Sequence, residues 1–221
     1  MTTTIAVGDI HGCYKELMQL FEHIYKNIPE EPVEYVFIGD YIDRGPDSKK
    51  VVQFLIDLQR VPMTDSKIIC LMGNHEDMML YEHSMWMANG GRQTQQSYGD
   101  DELTKFQHSE WCAKLPLYHV DTRGRVFVHA GIKRSISNMD NQRYNYMLWT
   151  REQFFSDMFP DGRYVVHGHT PLSKAYRLPH VLDNRINLDT ACVYEGTLSA
   201  AFFNKEQTKP YLLVNHLGEK A

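Results

Sequence analysis

The chain has 221 residues, 43% of them apolar and 23% charged, which is the composition of a globular protein long enough to bury one sizeable core. No apolar run approaches the roughly 18 to 20 residues needed to cross a bilayer, and a formal net charge of −5 argues against nucleic acid as the main partner. The start, MTTTIAVGDIHG, lacks the positive segment and apolar stretch of a secretory signal, so a cytoplasmic protein with no membrane partner is expected.

Taken in chain order, six short apolar runs end abruptly in glycine and polar groups: TIAVGDIHG, YVFIGDYIDRG, KIICLMGNHE, RVFVHAG, RYVVHGHT and RINLDTA. Each reads as a buried strand feeding a loop. Between the first two, Leu17, Leu20, Phe21, Ile24, Tyr25 and Ile28 recur at three- and four-residue steps, which predicts a helix with one apolar face. Ser48 is a candidate N-cap for the next helix, whose apolar face is Val51, Val52, Leu55, Ile56 and Leu58. A third helical pattern starts near Glu76 and runs through MMLYEHSMWM, with Glu76 placed in the first turn to meet the helix dipole. Residues 88–115 read as an irregular or helical cap, and the closely spaced later strands as a hairpin-rich second half. The expectation is one α/β domain over residues 1–221, a layered β-sandwich flanked by helices. The four cysteines, Cys13, Cys70, Cys112 and Cys192, show no CxxC spacing and read as reduced structural thiols.

A single aspartate or histidine after a strand is usually a turn or packing residue. Here Asp9 and His11, Asp40, Asn74 and His75, His129, and His169 all stand at strand exits. In open α/β sheets ligands bind outside the carboxyl ends of the strands, so these groups should converge. Their mixed oxygen and nitrogen donors suit divalent manganese, iron or zinc, and their number suits two ions about 3.5 to 4 Å apart rather than one.

The motifs GDIHG, GDYIDRG, GNHE, HAG and HGHTP, in this order over residues 5–197, resemble those of the phosphoprotein phosphatase family of metallophosphoesterases, its small bacterial and phage members in particular. The resemblance implies a calcineurin-like fold with the metal site at the carboxyl ends of the strands. It implies that Asp9 and His11 hold a first metal, that Asp40 bridges, and that Asn74, His129 and His169 complete a second site, most simply with two manganese ions. It further implies His75 as general acid, Asp43 as the carboxylate that orients it, and Arg44, Asn74 and, on a shorter match, Arg151 as grips on the substrate phosphate. His167, two residues before His169, lies upstream of the family ligand. The expected activity is hydrolysis of phosphoserine or phosphothreonine in a protein or peptide by a dimetal-bound hydroxide, with phosphotyrosine as a further substrate. The alternative is a dinucleoside polyphosphate hydrolase. Symmetrical enzymes of that class resemble the same family, tend to be longer and typically lack the aspartate of the DRG segment, so Asp43 favours the phosphatase. A non-catalytic binding protein on the same fold is the third possibility. Near the last strand the family's LDTG is replaced by LDTA, ending in Ala191.

Overall fold

In the computed structural model, residues 2–29, 32–81, 83–151, 159 and 161–221 are described. Period-two alternation along the first strands decides where the layers go. Strand β1 (Thr3–Val7) sends Ile5 and Val7 to one face and Ala6 to the other, and β2 (Val33–Phe37) divides Tyr35 and Phe37 from Val36 in the same way. One face packs on helices and the opposite face on a second sheet.

The first sheet runs β10-β9-β1-β2-β3, where β3 is Lys67–Cys70, β9 is Ser199–Phe203 and β10 is Leu212–Asn215. Its β1, β2 and β3 are parallel, and β9 pairs antiparallel with both β1 and β10. The second sheet runs β4-β5-β6-β8-β7, with β4 at Tyr118–Val120, β5 at Val126–Val128, β6 at Val165–His167, β7 at His180–Val181 and β8 at Arg185–Asn187. Val36, Ile38 and Leu71 from the first sheet meet Phe127, Val166 and Ile186 from the second in a fully buried layer. Each such side chain contributes about 1.5 to 3 kcal/mol relative to exposure. Among the described residues, no helix is long and apolar enough to cross a membrane.

Helices α1 (Tyr14–Asn27) and α2 (Ser48–Arg60) cover the outer face of the first sheet. On α1 the buried residues are Leu17, Leu20 and Ile24, whereas Tyr25, expected on the apolar face, is 79% exposed. Ser48 does not cap α2. Asp47 is the N-cap, and the Ser48 hydroxyl accepts from the Asp43 N–H at 3.1 Å, so its side chain serves the preceding loop. Helix α3 (Asn74–Leu80) is shorter than its pattern, of which residue 82 lies outside the described residues. An uninterrupted helix would carry Trp86 about 16 Å along its axis from His75. Instead the chain turns back and the Trp86 indole N–H reaches the Asp43 carboxylate at 3.0 Å.

Residues 88–115 hold two regular helices, α4 (Gly91–Tyr98) and α5 (Glu102–Cys112), both packed on α2. The second half has hairpins at β4/β5, β7/β8 and β9/β10, but β5, β6 and β8 are parallel, so the centre of the second sheet repeats the logic of the first. Helix α6 (Tyr144–Trp149) precedes Arg151.

Candidate active site

The parallel strands of both sheets deliver polar residues to one crevice. Asp9 and His11 follow β1, Asp40 follows β2, Asn74 and His75 follow β3, His129 follows β5 and His169 follows β6. The loops that carry them are tightly bent. His11, Asp40, Asp43, Arg44 and His169 all have positive φ, between 46° and 72°, a conformation costing a non-glycine residue on the order of 1 to 2 kcal/mol. Glycines make room where backbones cross. A Cβ on Gly45 would lie 2.1 Å from the His11 carbonyl, and one on Gly168 would lie 1.9 Å from Asp9 Oδ1.

Glu76 holds the second loop in place. Its fully buried carboxylate accepts the backbone N–H groups of Asp40 and Gly73 at 2.9 Å on Oε2, and of Tyr41 at 2.8 Å and Ile42 at 3.3 Å on Oε1. This is a larger task than complementing the helix dipole, the role its position in the first turn suggests. The His75 N–H donates to Asp40 Oδ1 at 3.0 Å and fixes that carboxylate in turn.

Two groups of side chains present ligand atoms within 4.8 Å of one another: His11, Asp40 and His75, and Asp40, His129 and His169. Asp40 belongs to both, as a bridging carboxylate would. Asn74 Oδ1 joins the second group, 2.9 Å from His129 Nε2 and 2.8 Å from His169 Nδ1. Asp9 stands outside both groups, its Oδ2 accepting the His169 N–H at 2.9 Å.

The donor set fits divalent cations. His11 Nδ1 pairs with the Ile42 carbonyl at 2.8 Å and His129 Nδ1 with the Ile38 carbonyl at 2.9 Å, so these nitrogens carry the ring protons and each Nε2 turns a lone pair inward. The His129 lone pair faces Asp40 Oδ1 at 3.3 Å, acceptor against acceptor, an arrangement a cation reconciles, and that of His11 stands 3.3 Å from Asp40 Oδ2 beside the Arg44 guanidinium. Asp9 Oδ1 and His169 Nε2 are buried with no hydrogen-bond partner. Burial first, then Asp189, lifts the Asp9 carboxyl well above its ordinary range, and burial with Glu76 does the same to Asp40. Burial likewise depresses His11 and His129.

Beside these groups, His75 Nδ1 lies 2.7 Å from Asp43 Oδ2. Asp43 is fully buried and also accepts from Thr94 Oγ1 at 2.6 Å and from the Trp86 indole. Burial lifts its carboxyl to about 7 against the pull of those two hydrogen bonds, while burial and then Arg44 depress His75. Arg44 reaches His11 Nε2 at 2.5 Å and lies over the Tyr194 ring, 5.4 Å from its centroid. Arg151 is exposed at the opposite rim, beyond Trp149, whose ring is 6.4 Å from that of His169. His167 points elsewhere. Arg185 donates to its Nε2 at 2.8 Å and its Nδ1 faces the Gly168 carbonyl.

Several residues at the site escape a reading by motif. Trp86 and Thr94 have no motif context, and only the backward turn after α3 brings them to Asp43. Asp189 is different: it follows β8 in the same apolar-then-polar design as the ligands, and its buried carboxyl is lifted to about 6 by desolvation. Ala191 adopts φ of 61°, so the LDTA turn keeps the left-handed bend that glycine would take without strain.

Residues 2–210 match the model of the calcineurin-like phosphoesterase family. The chain belongs to that family. An asymmetrical bis(5′-nucleosyl)-tetraphosphatase PrpE from Anoxybacillus flavithermus is 30% identical, with 91% of each chain covered. The match spans nearly the whole of both chains, so the length that sets this chain apart from symmetrical hydrolases does not set it apart from this asymmetrical relative. Among solved structures, one described as a diadenosine tetraphosphatase aligns with TM-score 0.67 at 22% identity, covering 96% of this chain and 92% of its own. A cold-active protein tyrosine phosphatase of a psychrophilic Shewanella aligns with TM-score 0.68 at 20% identity, covering 99% and 79%. At these identities the two structures establish the shared fold alone.

Proposed function

We propose that this phosphoesterase hydrolyses bis(5′-nucleosyl) tetraphosphates asymmetrically, to a nucleoside triphosphate and a monophosphate. The observation that carries the reading is the 30% identity to a tetraphosphatase across 91% of both chains. It replaces the protein phosphatase as the leading reading. Asp9, His11 and Asp40 would hold one divalent cation, and Asp40, Asn74, His129 and His169 a second, with manganese, iron and zinc all compatible with the donors. The pair would supply Lewis acidity toward phosphoryl oxygen and a water of lowered proton affinity.

The chain's own groups divide the remaining work. Arg44 offers a planar fork of donors matched to phosphate oxygens, and Tyr194 under its guanidinium keeps it in place. Arg151 adds positive charge at the other rim, and the Asn74 amide stands against His129 and His169. Asp43 orients the His75 ring through Nδ1, leaving Nε2, 3.9 Å from Asp40, to hold or deliver a proton at the departing oxygen.

A second reading, hydrolysis of phosphomonoesters such as phosphoserine, is favoured by that Asp43–His75 pair, because an alkoxide leaves poorly without an acid. The two are separated by turnover of bis(5′-adenosyl) tetraphosphate and of a phosphoserine peptide at equal manganese-loaded enzyme. Faster turnover of the nucleotide supports the leading reading. A far faster phosphopeptide reaction would overturn it.

A further inference from the structure

Two clefts of equal size lie beside the candidate ligands, each with two arginines, but one adds three aromatic side chains and the other a single aromatic ring and two amides. One, of about 650 Å³, is lined by Arg143, Tyr144, Tyr146, Trp149 and Arg151, and Trp149 brings it against His169. The other, also about 650 Å³, is lined by Arg44, Asn89, Arg92, Gln93 and Tyr194, and Arg44 brings it against His11. Both volumes lie within the range of small-molecule sites, roughly 300 to 1,000 Å³.

We infer that these clefts are unequal substrate arms: the aromatic groove beside His169 takes the nucleoside joined to the reacting phosphorus, and the arginine cleft beside His11 takes the remaining polyphosphate. This rests on the nucleotide reading above. A nucleobase offers a π-face that stacks on tyrosine or tryptophan without needing a particular pattern of donors. A polyphosphate instead needs charge-assisted donors along its length, which Arg44 and Arg92 provide, with the Asn89 and Gln93 amides beside them. Although the whole chain is acidic, four arginines stand in these two clefts, at the mouth of the site.

The same inequality fixes where the substrate is cut. With its nucleoside in the aromatic groove, a tetraphosphate presents its first phosphorus to the ligand set and three phosphates to the arginine cleft. Water oxygen bonds to that first phosphorus. The bond from phosphorus to the next bridging oxygen breaks, and its electron pair stays on the triphosphate. The water protons pass to solvent or to the departing oxygen. His75 lies on this departure side, its ring 4.6 Å from that of His11.

Three substrates separate the arms in the manganese-loaded full chain: p-nitrophenyl phosphate with neither arm, adenosine 5′-(p-nitrophenyl phosphate) with the nucleoside arm, and bis(5′-adenosyl) tetraphosphate with both. Tyr146→Ala should lower kcat/KM on the two nucleotides about tenfold relative to p-nitrophenyl phosphate, in line with the loss of one stacking partner. Trp149→Leu, which also removes the stacking on His83 and the bond to Asp77, should act in the same direction. Arg92→Ala should lower tetraphosphate turnover about tenfold relative to the adenosine aryl ester, a loss of the size a charge-assisted hydrogen bond carries. In water enriched in oxygen-18, the label should enter the monophosphate. Label in the triphosphate, or equal losses on all three substrates, would overturn the assignment of the arms. If the wild-type chain left the tetraphosphate intact, the proposed function would fail. The groove would then be judged by the ratio between the adenosine aryl ester and p-nitrophenyl phosphate, with no preference for the adenosine ester counting against it.

Discussion

Replacing Glu76 with glutamine tests how the Asp40 loop is held. Glu76 is fully buried, and its two oxygens accept four backbone N–H groups, from Asp40, Tyr41, Ile42 and Gly73. A glutamine keeps one acceptor oxygen and turns an NH2 group toward the other two donors. Two hydrogen bonds to a charged group are lost, at about 1.5 to 3 kcal/mol each, so the cost is about 3 to 6 kcal/mol. That is a large share of the roughly 5 to 15 kcal/mol that holds an ordinary domain together. If Glu76 served only the dipole of α3, its loss would cost at most about 2 kcal/mol. The size of the effect therefore decides between the two roles. Urea unfolding of Glu76→Gln against wild type should be run at pH 8, because burial lifts this carboxyl to about 7 and there it is ionised. Glu110→Gln, on the exposed face of α5, is the control and should stay within about 0.5 kcal/mol. A loss below about 2 kcal/mol for Glu76→Gln, with manganese uptake unchanged, would refute the reasoning.

Ala191→Gly should stabilise the chain by roughly 0.5 to 1 kcal/mol in the same unfolding assay, since Ala191 is held at φ of 61° and glycine removes that strain at some entropic cost. His108 is buried between Tyr98 and Gln53, and burial, then Lys49, lowers its pKa to about 4. The unfolded chain therefore takes up its proton first: the contribution of neutral His108 is complete above about pH 6.5 and is lost as pH falls toward 4. His108→Gln should flatten that part of the stability-against-pH curve. Chelation should lower Tm and manganese restore it, with about 2.7 kcal/mol gained at a hundredfold excess over Kd, and Asp40→Asn should abolish most of the response. His75→Asn should retain metal and lose more turnover on phosphoserine than on an aryl phosphate, whose leaving group needs no acid; equal losses would remove His75 from proton transfer.

Most of the candidate donors were legible because each follows an apolar run, and such a run in an α/β chain ends at a sheet's carboxyl edge. That rule placed Asp9, Asp40, Asn74, His129 and His169 before any contact was known, and it would have placed Asp189 as well. Helix faces were legible to within the periodicity, which includes Leu17 and Leu20 correctly but also Tyr25, since a repeat of three and four cannot say where a packed stripe ends. The C-terminal hairpin β9/β10 was unread at its place in the sheet because the partner that β9 meets there, β1, lies nearly two hundred residues away. The same limit governs the support around the chemistry. Glu76 bracing the Asp40 loop, Trp86 and Thr94 holding Asp43, and the two unlike clefts all depend on where the chain turns back on itself. Sequence by itself determined the donors, since local pattern fixes which residues leave a strand. Tertiary structure alone decided how each donor is aimed, because the groups that aim it come from distant turns whose meeting no local pattern encodes.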